Sequence, residues 1–293
     1  MTDPKRPKLE LQISSPQALV RRMDQQLDLV ERLLAEAAAA HALVPVNFTN
    51  SRGMTMIWCP SGEFLMGSPE DEEEYHESQN QVPVLISQGF WLARTPVTQG
   101  QWQALMVNNP SEFKGSIDLP VETVSWDAAS EFCSKLNAQE NLPSGYRYAL
   151  PTEAQWEYAC RAGTTTPFHF GSTLNGTEAN CNGTYPYGTE NEGPNLKQTT
   201  IVGSYPPNAW GLQDMHGNVW EWCADYWDLH RSGGADPTGP AINDLGLKRV
   251  ERLQRGGAWS SSPDRCRAAY RDAFEPSRVS SDMGFRSALV PYR

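Results

Sequence analysis

Ten tryptophans are distributed along a chain that also carries 23 glycines and 22 prolines. Glycine in a helix or strand costs backbone entropy and proline removes a hydrogen-bond donor, so long regular elements are not sustained at that density. Large rings must then fill the core that the turns enclose. The combination predicts a loop-rich α+β fold, with short strands and helices between Gly and Pro turns. A length of 293 residues is within reach of one large core, and two domains are also within range.

A formal net charge of −11 excludes nonspecific attraction to phosphate backbones or anionic lipid, so neither nucleic acid nor membrane is an expected partner. The clearest acidic run, Glu70 to Glu74, reads as a solvated loop; a basic partner or a loosely held cation is the alternative. No apolar run approaches the ~20 residues that cross a bilayer, and the polar start Met1 to Lys8 lacks a signal-peptide pattern. A cytoplasmic location is therefore expected. The six cysteines (Cys59, Cys133, Cys160, Cys181, Cys223, Cys266) form no C-x-x-C pair and no zinc pattern. In a reducing compartment most of them would be buried free thiols.

The chain divides near Ala42 to Pro45. Residues 1–45 read as a disordered start and one amphipathic helix, and residues 46–293 as the main domain. Ser15 can cap the helix over 15–43, and Leu19, Met23, Leu27, Val30 and Leu34 form one stripe along it. That stripe packs on its own domain or serves a partner or a second copy of the chain. Within the main domain, Thr98 with Gln101 and Thr152 with Gln155 read as capping boxes, and Ser125 as a third cap. Gly163 supplies a stop. Trp102, Trp126 and Trp156 on these helices are expected to be framework.

Six motifs follow one another in the main domain. They are Met56-Ile-Trp-Cys-Pro-Ser-Gly-Glu-Phe-Leu-Met-Gly-Ser68, Phe90-Trp-Leu-Ala-Arg-Thr-Pro-Val-Thr-Gln-Gly-Gln-Trp102 and Pro120-Val-Glu-Thr-Val-Ser-Trp-Asp-Ala-Ala129. Next come Arg147-Tyr-Ala-Leu-Pro-Thr-Glu-Ala-Gln-Trp-Glu-Tyr-Ala159 and Gly211-Leu-Gln-Asp-Met-His-Gly-Asn-Val-Trp-Glu-Trp222. The last is Arg255-Gly-Gly-Ala-Trp-Ser-Ser-Ser-Pro-Asp-Arg-Cys266, closing at Gly284-Phe-Arg286. In this order they resemble the formylglycine-generating enzyme, or sulfatase-modifying factor, family from about Met54 to Leu289. The resemblance implies that family's variant of the C-type lectin-like fold, here with an added N-terminal helix.

It also implies a copper ion held by two cysteines five residues apart. Those positions are Ser261 and Cys266 here. A soft cation wants thiolates, and a neutral hydroxyl is a poor substitute, so copper is not expected and Cys266 is left as the one catalytic candidate. Rescue by another cysteine, such as Cys223, is the alternative, and Cys223 and Cys266 lie in motifs that approach in the family fold. A calcium ion is implied in the Asp214 to Glu221 loop, with side-chain oxygens from Asp214 and Glu221 and carbonyls from Gly217 and Val219. The competing reading is a metal-free turn held by Asn218 and Glu221. A second calcium position, starting at Asn180 and Cys181, lacks its later carboxylate near Pro194 and Asn195. His216 reads as a packing residue, and no histidine pairing supports a zinc or three-histidine iron centre.

The loops that line the family's substrate cleft supply the expected ligand-binding residues: Trp259, Ser260, Ser261, Ser262, Asp264, Asp272, Phe274, Glu275, Arg278, Ser280 and Asp282. Their Ser, Asp, Arg and aromatic content suits adaptable recognition. They also resemble the variable region of lectin-like proteins diversified by retroelements. Arg255, Arg267, Arg271 and Arg286 are expected to fix these loops through internal salt bridges. The expected function is a non-catalytic module that binds a protein or peptide through loops 259–282. An oxidase or other enzyme using the same cleft is the alternative.

Overall fold

The short elements follow from the Gly and Pro spacing, and none exceeds the 14 residues of one helix among the described residues. The computed structural model describes residues 47–241 and 250–292, together with Leu27. The helix expected over 15–43 therefore lies outside the described residues, apart from Leu27. Residues 47–293 make one compact unit. Its elements run β1 Asn47–Thr49, β2 Thr55–Cys59, β3 Gly62–Met66, β4 Val82–Ile86, β5 Phe90–Ala93, α1 Gln99–Met106, α2 Trp126–Gln139 and β6 Tyr146–Ala149. They continue with α3 Glu153–Arg161, β7 Trp220–Tyr226, β8 Gly234–Ala235, β9 Arg252–Arg255, β10 Asp272–Phe274, β11 Met283–Gly284 and β12 Ala288–Pro291.

The helices start where the caps predict. Thr98 and Thr152 each close a capping box with Gln101 and Gln155, and the Ser125 side chain accepts from Ala128 N–H. The α3 stop comes one residue before Gly163, with Ala162 itself left-handed at φ 45° and Gly163 following at φ 94°. Trp102 and Trp156 are buried; Trp126 is half-buried, its ring face covered by the Arg252 guanidinium at 3.7 Å.

One sheet of five strands, in the order β1-β2-β5-β12-β6, is antiparallel throughout and brings the C-terminal strand between β5 and β6. Its inner face packs Ile57, Phe90, Leu92, Ala288 and Val290 with Trp156 and Ala159 of α3. The β3-β4-β8 sheet joins the same core through Met66, Val84 and Ile86. A third sheet, β10-β9-β7-β11, carries the site. Residues 162–219 hold isolated bridges but no named helix or strand among the described residues. Side chains there replace ladder bonds. Asn208 donates to the Ala159 carbonyl at 2.7 Å and accepts from Trp210 and Leu212 N–H.

All nine residues of α3 are buried, charged ones included. Glu157 takes Arg161 at 2.9 Å, Arg231 at 3.2 Å and Arg255 at 2.5 Å, while Glu153 takes Arg255 at 2.6 Å and Arg271 at 2.7 Å. Burial pushes the Glu153 carboxyl upward, but Arg271, Arg255 and Arg231 outweigh it and hold the pKa at about 2. The same balance holds Glu157 well below the carboxylate range. Arg267 reaches Glu72 at 2.6 Å and the Glu74 carbonyl at 2.7 Å. The acidic run is thus partly internal, with a basic partner in the C-terminal motif, and is not only a solvated loop. Arg255, Arg267, Arg271 and Arg286 all form the internal ion pairs expected of them.

Candidate functional site

Strands β7, β9, β10 and β11, with the loops between them, enclose a cleft of about 570 Å³. Ser260, Ser261, Ser262, Asp264, Asp272, Phe274, Arg278 and Asp282 line it. The other expected residues do not. Trp259 packs edge-on against Phe113 at 5.3 Å and donates its indole N–H to the Ser281 carbonyl at 3.1 Å. The Glu275 carbonyl closes a turn with Arg278 N–H, and the Ser280 carbonyl accepts from Thr123 and Met283 N–H. These three shape the loops from outside the cleft.

Six lining residues were not foreseen: Asn182, Tyr185, Trp220, Gln254, Arg265 and Met283. Gln254 stands one residue before the recognised motif and faces away from its neighbour Arg255, as strand alternation requires. It is 0 % exposed, and neither amide heavy atom has a hydrogen-bond partner. Across the β9-β10 ladder it opposes Asp272. Burial raises the Asp272 pKa; Gln254 is near enough to help keep it ionised, yet no pair between them reaches good hydrogen-bond geometry. Arg278 lies over the Phe274 ring at 4.0 Å, and the Ser260 hydroxyl donates to Asp282 at 2.7 Å. The cleft therefore offers carboxylates, guanidinium groups, hydroxyls and aromatic faces together.

Cys266 does not line this cleft. Its sulfur is fully buried and donates to the Ser262 carbonyl at 3.8 Å. The neighbouring Cys181 thiol, together with burial, raises its thiol pKa well above the ordinary value. The Ser261 hydroxyl accepts from Ala258 N–H at 3.1 Å. A hydroxyl engaged by the backbone and a protonated, buried thiol do not fit a two-sulfur copper centre. Cys223 is not the thiol beside Cys266. It packs in the main core and donates to the Glu221 carbonyl at 4.0 Å, while Cys181 shares the second apolar cluster with Cys266.

The Asp214 to Glu221 loop turns on three left-handed residues, Asp214 at φ 56°, Gly217 at φ 86° and Asn218 at φ 67°. A Cβ at Gly217 would stand 2.3 Å from the Asn180 carbonyl oxygen, so only glycine fits there. Asp214 accepts from Gly203 N–H at 2.7 Å through Oδ2, while the buried Oδ1 has no partner; burial lifts its pKa to about 6. That open oxygen suits a hard cation. Glu221 is already neutralised: Arg286 contacts both its oxygens at 2.6 Å, and Trp156 donates to Oε2 at 2.6 Å. Asn218 ties the loop to Asn180 and Thr200. Among the described residues no three His, Cys, Asp or Glu side chains gather as a metal cluster.

His216 is buried. Its Nδ1 donates to the Cys266 carbonyl at 2.7 Å, which leaves Nε2 to accept His169 N–H at 3.1 Å. Burial, then His169, lowers its pKa to about 3, so it packs as a neutral ring against Phe168 and Phe170.

The model of the sulfatase-modifying factor enzyme 1-like domain matches residues 42–290. The chain belongs to that family. The chaperone protein LppX of Paenibacillus barcinonensis is 30% identical over 238 residues, which is 67% of this chain and 79% of that protein. The formylglycine-generating enzyme of Mus musculus is 34% identical over 58% of this chain and 44% of its own length. The serine/threonine-protein kinase pkn1 of Chlamydia caviae is 30% identical over 80% of this chain, but that match spans only 37% of the kinase. Among solved structures, Treponema denticola variable protein 1 superposes with a TM-score of 0.69 at 28% identity, covering 85% of this chain and all of that one. PvdO from Pseudomonas aeruginosa gives 0.69 at 27% identity, over 83% and 97% of the two chains. The fold is thus the family's α+β, loop-rich architecture.

Proposed function

We propose that this family member is a non-catalytic binding module whose cleft, built by loops 259–282, takes a protein or peptide segment. The observation that carries the reading is Gln254, a fully buried amide lining the cleft, whose oxygen has no partner and whose nitrogen has only Asp272 nearby, without good hydrogen-bond geometry. An unpaired buried amide costs roughly 1–3 kcal/mol, a cost that a ligand's amide or carbonyl would remove. The absence of a second sulfur at Ser261 and the burial of Cys266 speak against the copper oxidase alternative. The likeness to a protein titled a variable protein supports adaptable loops here, and their diversification by a retroelement belongs to the same proposal. Calcium at Asp214 is proposed on its unpartnered Oδ1. Self-association or partner binding through 15–43 rests on the Leu19 to Leu34 stripe alone. A cytoplasmic setting is proposed from the free thiols; among the described residues no helix is long and apolar enough to cross a membrane.

The test is selection of displayed random peptides on the full chain. Selected peptides should lose about tenfold or more in affinity on Asp272→Ala or Phe274→Ala. Turnover of a cysteine-containing peptide by the chain reconstituted with Cu(I) would overturn the reading.

A further inference from the structure

Cys181 and Cys266 are packed into one small apolar cluster although 85 positions separate them in the chain, and the function proposed above makes no use of them. Cys181 is 1 % and Cys266 0 % exposed, and both belong to an apolar cluster with Phe168, Leu174 and Tyr187. The other sulfurs with described bonds turn to backbone or ring atoms. Cys59 donates to the Ile57 carbonyl at 3.8 Å, and Cys160 lies 3.7 Å from His216 Nε2. Room for the Cys266 sulfur is made by Gly257, whose hypothetical Cβ would lie 2.4 Å from it. The two chain segments are also stitched by the backbone, with Asn182 N–H donating to the Ser261 carbonyl at 2.8 Å. Asn182 and Arg265, the immediate chain neighbours of the two cysteines, line the cleft together with Ser261. The sulfur pair therefore lies directly behind the cleft wall.

Two neighbouring thiols can hold a soft cation or be oxidised to a disulfide. A monovalent cation on two thiolates leaves one net negative charge in the pocket. The charged side chain that most affects Cys266 is Asp264, which is also negative. A disulfide is neutral, and burying an uncompensated charge costs far more than burying a neutral group. We propose that Cys181 and Cys266 are an oxidative cross-linking site that staples the Cys181–Tyr185 wall of the cleft to the Ser260–Cys266 wall. With a peroxide as oxidant, one thiolate attacks the O–O bond to give a sulfenic acid and hydroxide. The second sulfur then displaces the sulfenic oxygen, and the S–S bond forms with loss of water. The raised Cys266 pKa makes the reaction slow at neutral pH and faster as pH rises.

The experiment exposes the full chain to hydrogen peroxide at pH 7 and pH 9, then alkylates it in denaturant and maps its peptides without reduction. The expected product is one cross-linked peptide pair joining Cys181 to Cys266, formed faster at pH 9 and absent from Cys181→Ser and Cys266→Ser. The oxidised chain should melt roughly 10 °C higher, because the bond closes a long loop. Four results would each overturn the proposal: six alkylated thiols after prolonged exposure, sulfinic acid at Cys266 with Cys181 still free, a link joining other cysteines, or a cross-link without a rise in melting temperature. The wild-type map stands even if a serine variant fails to fold. Loss of peptide selection would sink the binding function without touching this result.

Discussion

Gln254 and Arg255 are neighbours on β9, both fully buried, yet they face opposite sides of the sheet and meet opposite fates. Arg255 spends its terminal nitrogens on Glu153, Glu157 and the Ala268 carbonyl, with only its buried Nε left without a partner. Gln254 has no well-formed hydrogen bond at either amide atom, and only Asp272 stands near it. One side of the strand is a paired framework and the other is an unfinished surface. The contrast teaches that burial alone does not mark a structural residue. What separates the two is whether the molecule itself supplies strong partners to the end of the polar group, as Glu153 and Glu157 do for Arg255.

The largest effect that would break this contrast is on the framework side. Glu157→Gln should cost about 3–5 kcal/mol in urea unfolding, since it leaves buried arginines short of their counter-charge. If it costs less than 1 kcal/mol, roughly a surface substitution, the framework reading fails. The same side sets the acid response. The Glu153 pKa is held at about 2 against an ordinary 4.5, so its stabilisation is complete above pH 4.5 and is lost as pH falls through about 2. Acid unfolding curves of Glu153→Gln should be flatter over that window.

Next in size is the loop between the two regions. Gly217→Ala should lose roughly 2–3 kcal/mol, because the new Cβ meets the Asn180 carbonyl in a left-handed turn. Smaller, and opposite in sign, is Asp214. Its pKa is raised to about 6 from an ordinary 3.8, so stability falls as pH rises through that interval. Asp214→Asn should therefore stabilise by about 1–2 kcal/mol at pH 8 and by little at pH 4. Added calcium should raise the melting temperature of the wild type and not of this variant, and an equal rise in both would remove Asp214 from the cation proposal. Smallest of all, Gln254→Leu should be neutral or gain up to about 1 kcal/mol while peptide affinity drops. A marked loss of stability in that variant would place Gln254 in the framework with Arg255.

Much of the fold was legible in the chain. Helix starts at Thr98, Ser125 and Thr152 are local hydrogen bonds between residues three apart, so the sequence contains both partners. Eight of the cleft residues were legible for a related reason, since they follow one another in the loops after β9. Asn182, Tyr185 and Trp220 were not, because they come from segments distant in sequence that the fold folds against those loops.

The sequence by itself determined the family's α+β architecture, the substitution of Ser261 at the copper position, and the arginines that would be paired. These rest on residue identity and short spacing. Only the tertiary structure decided that Cys266 shares its apolar cluster with Cys181 and not Cys223, that Glu72 answers Arg267, that Glu221 is neutralised by Arg286, and that Gln254 lacks a well-formed hydrogen bond. Each of those outcomes depends on which distant side chain completes a charge, a thiol or an amide once water has been removed, and no local pattern encodes that choice.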